Sequence, residues 1–249
     1  GELGTASRSL GQYQEAIELF QQVLEISQDI GDRTSEVAAL GELGTAYFSL
    51  GQYQEAITLF EQSLAIVRET GNRQGEGDTL NNLGVVYRSL GQYQEAITLF
   101  EQSLVIFRET GNYQSEGKAL SNLGIVYDDL GQYLEAIALY EQSLAIAREI
   151  GDQRGESSAL GNLGNAFTDL GQYLEAIARY EQSLAIARDI GNRQDEGSVL
   201  GNLGVAYRRL GQYQESIALH EQSLAITREI GDRLGESNAL GNLGNAYTE

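Results

Sequence analysis

The chain has 249 residues, a net charge of −20, 30 glycines and no proline, cysteine, methionine or tryptophan. Without cysteine there is no disulfide framework, thiolate metal site or cysteine nucleophile, and a single histidine, His220, excludes a multi-histidine metal site and leaves one candidate base for a triad. No run of 18 apolar residues offers a membrane span, and so acidic a surface is unsuited to a nucleic-acid backbone, so the partners expected are proteins, with no cofactor.

The length is six periods of 40 residues and nine more. Residues 1–10 form a partial helix, and Gly-Gln-Tyr then opens at Gly11 and recurs at Gly51, Gly91, Gly131, Gly171 and Gly211. The units 131–170 and 171–210 agree at 28 of 40 positions, and no unit carries an insertion. The whole chain, 1–249, is therefore one array: 11–50, 51–90, 91–130, 131–170, 171–210 and an incomplete 211–249. With no initiator Met, no targeting segment and both ends inside a unit, it is expected to be a piece of a longer protein. A cytoplasmic location is the default expectation.

Within a unit, Leu40, Leu43, Tyr47 and Leu50 are spaced as one face of a helix, called A. Tyr53, Ala56, Ile57, Phe60, Leu64 and Val67 form the stripe of a second helix, B, widened by Leu59 and Ile66 so that B is covered on two sides. Gly31, Gly71 and their equivalents follow each B helix, where a left-handed residue is wanted. Asp32, Asn72, Asn112, Asp152, Asn192 and Asp232 follow as N-caps for the next A helix. Thirteen helices are predicted: the stub, six B helices starting near Gln12, Gln52, Gln92, Gln132, Gln172 and Gln212, and six A helices. Short connections make neighbours antiparallel, and no strand signal occurs. Gly44 and its equivalents sit inside A helices, at a cost of about 1 kcal/mol relative to Ala, which implies that helix B comes too close for a Cβ. One A–B pair cannot bury both its faces; stacked pairs can, giving an all-α, right-handed superhelical solenoid.

Leu40-x2-Leu43-Gly44-x2-Tyr47 followed by Ala56-x3-Phe60 resembles the tetratricopeptide repeat, with Leu in place of the usual Trp. The family's proline, due near Arg68, is absent, and the period is 40 rather than about 34; without proline, helix B runs on for an extra turn. The long, proline-free form is similar to spindle-orientation adaptors with Leu-Gly-Asn repeats, matched literally at Leu163-Gly164-Asn165 and Leu243-Gly244-Asn245, and more loosely to kinesin light chains and bacterial multi-repeat proteins. The resemblance covers the whole chain. It implies a scaffold that binds an extended or helical peptide on a concave face lined by A helices.

The repeats differ mainly on one side of helix A. Position 38 carries Ala38, Asp78, Lys118, Ser158, Ser198 and Asn238; position 45 includes Asn165 and Asn245; positions 48 and 49 include Arg88, Asp128, Asp129, Asp169, Arg208 and Arg209. Beside them runs a row of Asn82, Asn122, Asn162, Asn202 and Asn242, next to small residues such as Gly161 and Gly201. A carboxamide offers donor and acceptor to a passing main chain, and small neighbours allow close approach. The competing reading has each Asn bonded locally or to the adjacent helix. The acids around Asp128, with Arg88 and Lys118 interrupting them and Arg208 and Arg209 beyond, favour a basic or mixed-charge segment. His220 stands where Phe20, Phe60, Phe100, Tyr140 and Tyr180 stand in other units, so it is expected in the core, and no enzyme is expected.

Three alternatives stay open: a structural spacer or self-associating segment, a regulatory sensor arm of a larger multidomain protein, and a consensus-like engineered array with no native partner. The ends also carry an expectation. Leu3, Leu10, Leu240, Leu243 and Tyr247 should be under-covered, so the chain either frays there or pairs end to end through its uncapped terminal helices.

Overall fold

A computed structural model describes the backbone of residues 2–248 and the side chains of residues 12–248. Among the described residues there are twelve helices and no strand: α1 (Glu2–Ile30), α2 (Arg33–Ser49), α3 (Tyr53–Glu69), α4 (Arg73–Ser89), α5 (Tyr93–Thr110), α6 (Tyr113–Asp129), α7 (Tyr133–Ile150), α8 (Gln153–Asp169), α9 (Tyr173–Asp189), α10 (Arg193–Arg209), α11 (Tyr213–Ile230) and α12 (Arg233–Tyr247). Even-numbered helices are A helices; α3, α5, α7, α9 and α11 are B helices. The helix count corrects the expected thirteen. Helix α1 runs without a break through Gly11-Gln12, where a turn was expected. Ten residues make under three turns, too short a segment to hold a separate helix in water. Continuing the helix keeps every i→i−4 backbone bond at the modest cost of one internal glycine.

Elsewhere the punctuation follows the sequence. Each glycine between described helices, from Gly31 to Gly231, has a positive φ of 66–77°. That left-handed residue lets the next amide reach back, as in Asp32 N donating to Ser27 O at 2.8 Å and Gln52 N to Tyr47 O at 2.9 Å. At the B-to-A corners a side chain then caps the new helix. Asp32 accepts from Thr34 N and Ser35 N, and Asn72, Asp152, Asn192 and Asp232 each accept from the amide three residues on. The B helices start at Gln52 and its equivalents without a side-chain cap.

The chain divides into two compact units, residues 1–122 and 123–249, the division falling inside α6. In the first, α3 lies between α2 and α4, its Ala56, Ile57 and Phe60 packed with Leu83 and Val86 of α4. In the second, α7 packs on α8 through Tyr140, Leu144, Leu160 and Leu163, and α9 lies between α8 and α10 through Ile177, Tyr180, Leu200 and Leu203. Each B helix so placed is covered on two sides.

The helix-internal glycines prove to be ring seats. A Cβ on Gly44 would lie 2.8 Å from the Phe60 ring, on Gly84 2.7 Å from Phe100, on Gly124 2.6 Å from Tyr140 and on Gly204 2.7 Å from His220, and on Gly164 it would run into the Tyr180 ring. By contrast, a Cβ on Gly41 would meet nothing within 4 Å.

Charged side chains tie corners together. The last-turn arginine of a B helix donates to a glutamate in the first turn of the next A helix: Arg68 to Glu76, Arg108 to Glu116, Arg148 to Glu156, Arg188 to Glu196 and Arg228 to Glu236, all at 2.7–2.8 Å. Arg33, Arg73 and Arg193 add a second clamp, each pairing with the glutamate of its own first turn and with one in the following B helix. Arg68 beside it holds the Glu76 carboxyl below the usual carboxylate range.

At the C-terminal end, Leu240 and Tyr247 are exposed and Leu243 is half-buried, whereas the equivalent Leu200 and Leu203 are buried. Under-coverage thus holds there; Leu3 and Leu10 lie outside the described side chains.

Two glycines of the same helix type should respond oppositely. Gly164→Ala drives a methyl into the Tyr180 ring and should destabilise by about 1–3 kcal/mol. Gly41→Ala, with open space around it, should stabilise by about 0.5–1 kcal/mol. Denaturant unfolding of the two variants checks the sign of each.

Candidate functional site

The fixed side of each A helix is core: Leu40, Leu43, Leu80, Leu83, Leu160 and Leu163 are all buried. The variable side faces outward, with Ala38, Asp78, Lys118, Ser158, Ser198 and Asn238 exposed. The asparagines lie at the margin between the two. In the first unit Asn82 is half-buried, and the Asn122 amide donates to Asn81 Oδ1 at 3.1 Å, tying α6 to α4. In the second unit the Asn202 amide donates to Asn165 Oδ1 at 3.1 Å, tying α10 to α8. Part of the row thus bonds to the adjacent helix, the arrangement that competed with ligand reading.

Three clefts open on this face of the second unit. One of about 480 Å³ is lined by Ile125, Asp128, Asp129, Tyr140, Asn162, Asn165, Thr168, Asp169, Tyr180, Asn202 and Val205. A smaller one of about 200 Å³ shares Asn162, Asn165 and Asn202 with it and adds Ser158, Gly161 and Ser198. The third, about 420 Å³, shares Ser198 and Asn202 and continues to Asn238, Asn242 and Asn245. Together they make a line along α6, α8, α10 and α12. Of the residues singled out in the sequence, Asp128, Asp129, Asp169, Asn162, Asn165 and Asn202 meet in one cleft, and Asn242 and Asn245 lie farther along the line. Arg88 and Lys118 belong to the first unit; Arg208 is half-buried and Arg209 exposed on α10, and neither lines these three clefts.

The acidic cleft has a floor that the sequence did not disclose. Two core residues of the B helices reach it. Tyr140, buried on α7, donates its hydroxyl to Asp128 Oδ2 at 2.8 Å, and Tyr180, buried on α9, donates to Asn165 Oδ1 at 2.7 Å. Asp128 Oδ1 is buried without a hydrogen-bond partner. Burial raises the Asp128 carboxyl to about 6, the Tyr140 hydroxyl opposing this and the charges of Asp169 and Asp129 adding to it. Burial also raises Asp169. Tyr180 is pushed up to about 12 by burial, Thr168 opposing and the Asp169 and Asp128 charges adding. The signal available in sequence was the Phe, Phe, Tyr, Tyr, His succession at one B position, which looks apolar unless the hydroxyls are counted.

His220, the last of that succession, is fully buried under Gly204, and neither ring nitrogen has a hydrogen-bond partner. Burial, and secondarily the Arg208 charge, lower it to about 4. Among the described residues no group of three His, Cys, Asp or Glu side chains could hold a metal ion, and no helix is long and apolar enough to cross a membrane.

The family profile of the tetratricopeptide repeat matches residues 1–69, 36–109, 75–149, 115–189 and 195–249. The chain belongs to the tetratricopeptide repeat family. No curated protein matches it. Among solved structures, the array is similar to nearly identical TPR-like repeats assigned to a kinesin light chain of Podosopora anserina, with 30% identity, 78% of this chain and 96% of that one covered, and a TM-score of 0.65. BtubC (BKLC) from P. vanneervenii is 18% identical over 91% of this chain and 92% of its own, with a TM-score of 0.74. A Rap protein complexed with competence and sporulation factor is 16% identical over 96% and 73%, with a TM-score of 0.74. Tetratricopeptide arrays generally mediate protein–protein interaction.

The buried imidazole gives this array an acid-sensitive point. A histidine held neutral in the fold contributes fully above its unfolded value of about 6.5, and that stability is lost as pH falls towards about 4. His220→Phe places in the slot the ring type found at Phe60 and Phe100. The stability advantage of the variant over the wild type should grow by about 3 kcal/mol between about pH 7.5 and pH 4. Parallel denaturant titrations at the two pH values measure that difference.

Proposed function

We propose that the A-helix face of the second unit is a binding groove for an extended protein segment of basic or mixed charge. The supporting observation is the run of three adjoining clefts joined by Asn162, Asn165 and Asn202. Side-chain amides along a shallow channel with small residues beside them suit main-chain recognition, which needs donors and acceptors but no sequence of its own. Specificity then comes from the residues that vary between repeats. Asp128, Asp129 and Asp169 supply negative charge at one end, where a lysine or arginine of the ligand would sit. The asparagines already paired with a neighbouring helix keep a further donor or acceptor for a guest, since a carboxamide has more than one of each. In the Rap structure a similar fold is complexed with competence and sporulation factor.

A second reading rests on the C-terminal helix. Every ring seat from Gly44 to Gly204 is filled, but a Cβ on Gly244 would meet nothing within 4 Å, and Leu234, Leu240 and Tyr247 are exposed. This face suits a further B-type helix, and a second copy of the chain is one source. Sedimentation across a concentration series addresses it: association that Leu240→Glu with Tyr247→Glu abolishes supports the reading, and a monomer at all concentrations removes it.

The groove is tested by selecting peptides from a random library on the protein at about pH 7.5. Each of Asn162→Ala, Asn165→Ala and Asn202→Ala should weaken a selected peptide by about 0.5–1.5 kcal/mol, and the triple variant severely. Peptides should be enriched in Lys or Arg. Because Asp128 is ionised above about 6 and protonated below it, their binding should weaken as pH falls through 6. Peptides unaffected by the triple change would contradict the proposal.

A further inference from the structure

We propose that Tyr140 and Tyr180 are positioning residues of the groove, whose hydroxyls hold Asp128 and Asn165 in the arrangement that grips a cationic side chain of the bound segment. This rests on the groove reading above and adds residues from the opposite helix layer to it.

One B-helix slot holds Phe60, Phe100, Tyr140, Tyr180 and His220, each ring seated on the glycine of the preceding A helix. The seat is the same for all five, so the ring is explained by packing alone. The hydroxyl is not. Phe60 and Phe100 show that the slot is filled without it. Tyr140 and Tyr180 are 1% and 2% exposed, yet their oxygens lie 2.8 Å from Asp128 Oδ2 and 2.7 Å from Asn165 Oδ1, both of which line the acidic cleft. Both hydroxyls donate, Tyr180 with its pKa raised by burial, so each fixes one acceptor oxygen of its partner.

For Asp128 this leaves the second oxygen, Oδ1, which is buried and has no hydrogen-bond partner. An unsatisfied buried oxygen is costly, and a charged donor is the partner that recovers most of that cost. The ionisable groups facing Asp128 are Asp129 on its own helix, Asp169 on α8, Tyr140 on α7 and Tyr180 on α9. All the charge among them is negative, so the donor that fits is an ammonium or guanidinium. For Asn165, the Tyr180 hydroxyl and the Asn202 amide both donate to Oδ1. The carboxamide is thereby held with its oxygen inward, and its own NH₂ is left to donate to a ligand carbonyl. One tyrosine thus prepares a cation acceptor and the other a main-chain donor.

The test uses Tyr140→Phe and Tyr180→Phe in the whole chain, with thermal unfolding to show that the Phe slot is filled as at Phe60 and Phe100. The first readout needs no ligand: the carboxyl ¹³C shift of Asp128 against pH. Tyr140→Phe should move its midpoint upward from about 6, and Tyr180→Phe should leave it in place. The second uses arginine-containing peptides selected on the wild type and their Arg→Gln counterparts. Tyr140→Phe should weaken the arginine peptide about two- to tenfold and the glutamine counterpart little. Tyr180→Phe should weaken both alike. An unmoved Asp128 midpoint in Tyr140→Phe overturns the positioning role. A moved midpoint with no arginine peptides recovered from the library keeps the Tyr140–Asp128 coupling and overturns the cationic ligand and the groove reading with it.

Discussion

Each described pair in this array is organised by an aromatic ring from a B helix set down on a glycine of the A helix before it. The seat brings the two backbones closer than any side chain on the A helix would allow. Replacing the glycine loses the approach, and replacing the ring leaves a cavity. The same seat has a second effect. It sends the far edge of the ring past the A-helix backbone towards that helix's outward face. A phenylalanine ends there without consequence. A tyrosine delivers a hydroxyl to the residues that line the clefts, as at Asp128 and Asn165. A histidine brings two nitrogens and finds no partner for either. One packing decision therefore governs both the spacing of the repeats and the chemistry of the surface above them.

Much of this was legible in the residues. The 40-residue period, the Asp and Asn caps, the corner glycines and the A and B stripes each have a local physical cause, so a sequence states them directly. Gly44 and its equivalents were legible as close-approach points, because a glycine kept inside a helix needs a packing reason. What failed to show depends on tertiary placement. The unbroken α1 across Gly11-Gln12 follows from how short the segment before it is, where the same dipeptide turns the chain at Gly51-Gln52. The arginines of the last B-helix turn suit the helix dipole, and the structure adds that they reach Glu76, Glu116, Glu156, Glu196 and Glu236 of the next helix. The tyrosine hydroxyls were hidden because the position is apolar by pattern and polar only at one atom. The asparagine row was visible as a row, while its pairings, Asn122 with Asn81 and Asn202 with Asn165, required coordinates.

The charge balance takes on meaning once the clamps are drawn. The net charge is −20, yet most of the 16 basic residues are engaged in Arg–Glu contacts at the helix corners. Such contacts are screened and individually weak, so their service is to fix corner geometry more than to add stability. The A helices of the second unit carry charge of both signs, the acids on α6 and α8 and Arg208 with Arg209 on α10. There Asp128, Asp129 and Asp169 stand near one another with burial raising two of them. Gathering like charges in a partly desolvated cleft is unfavourable for the free protein, and the basic segment proposed for the groove would relieve it.

On the proposed function, a partner segment lies along the A-helix face of the second unit. The most direct measurement is a side-chain amide NMR titration of the protein with a peptide selected on it. The Asn162, Asn165 and Asn202 amide signals should shift together and saturably, and the Asp128 carboxyl midpoint should fall as a positive charge arrives. Unmoved asparagine signals, with changes at outward-facing B-helix residues such as Leu134 and Leu174 instead, would contradict it.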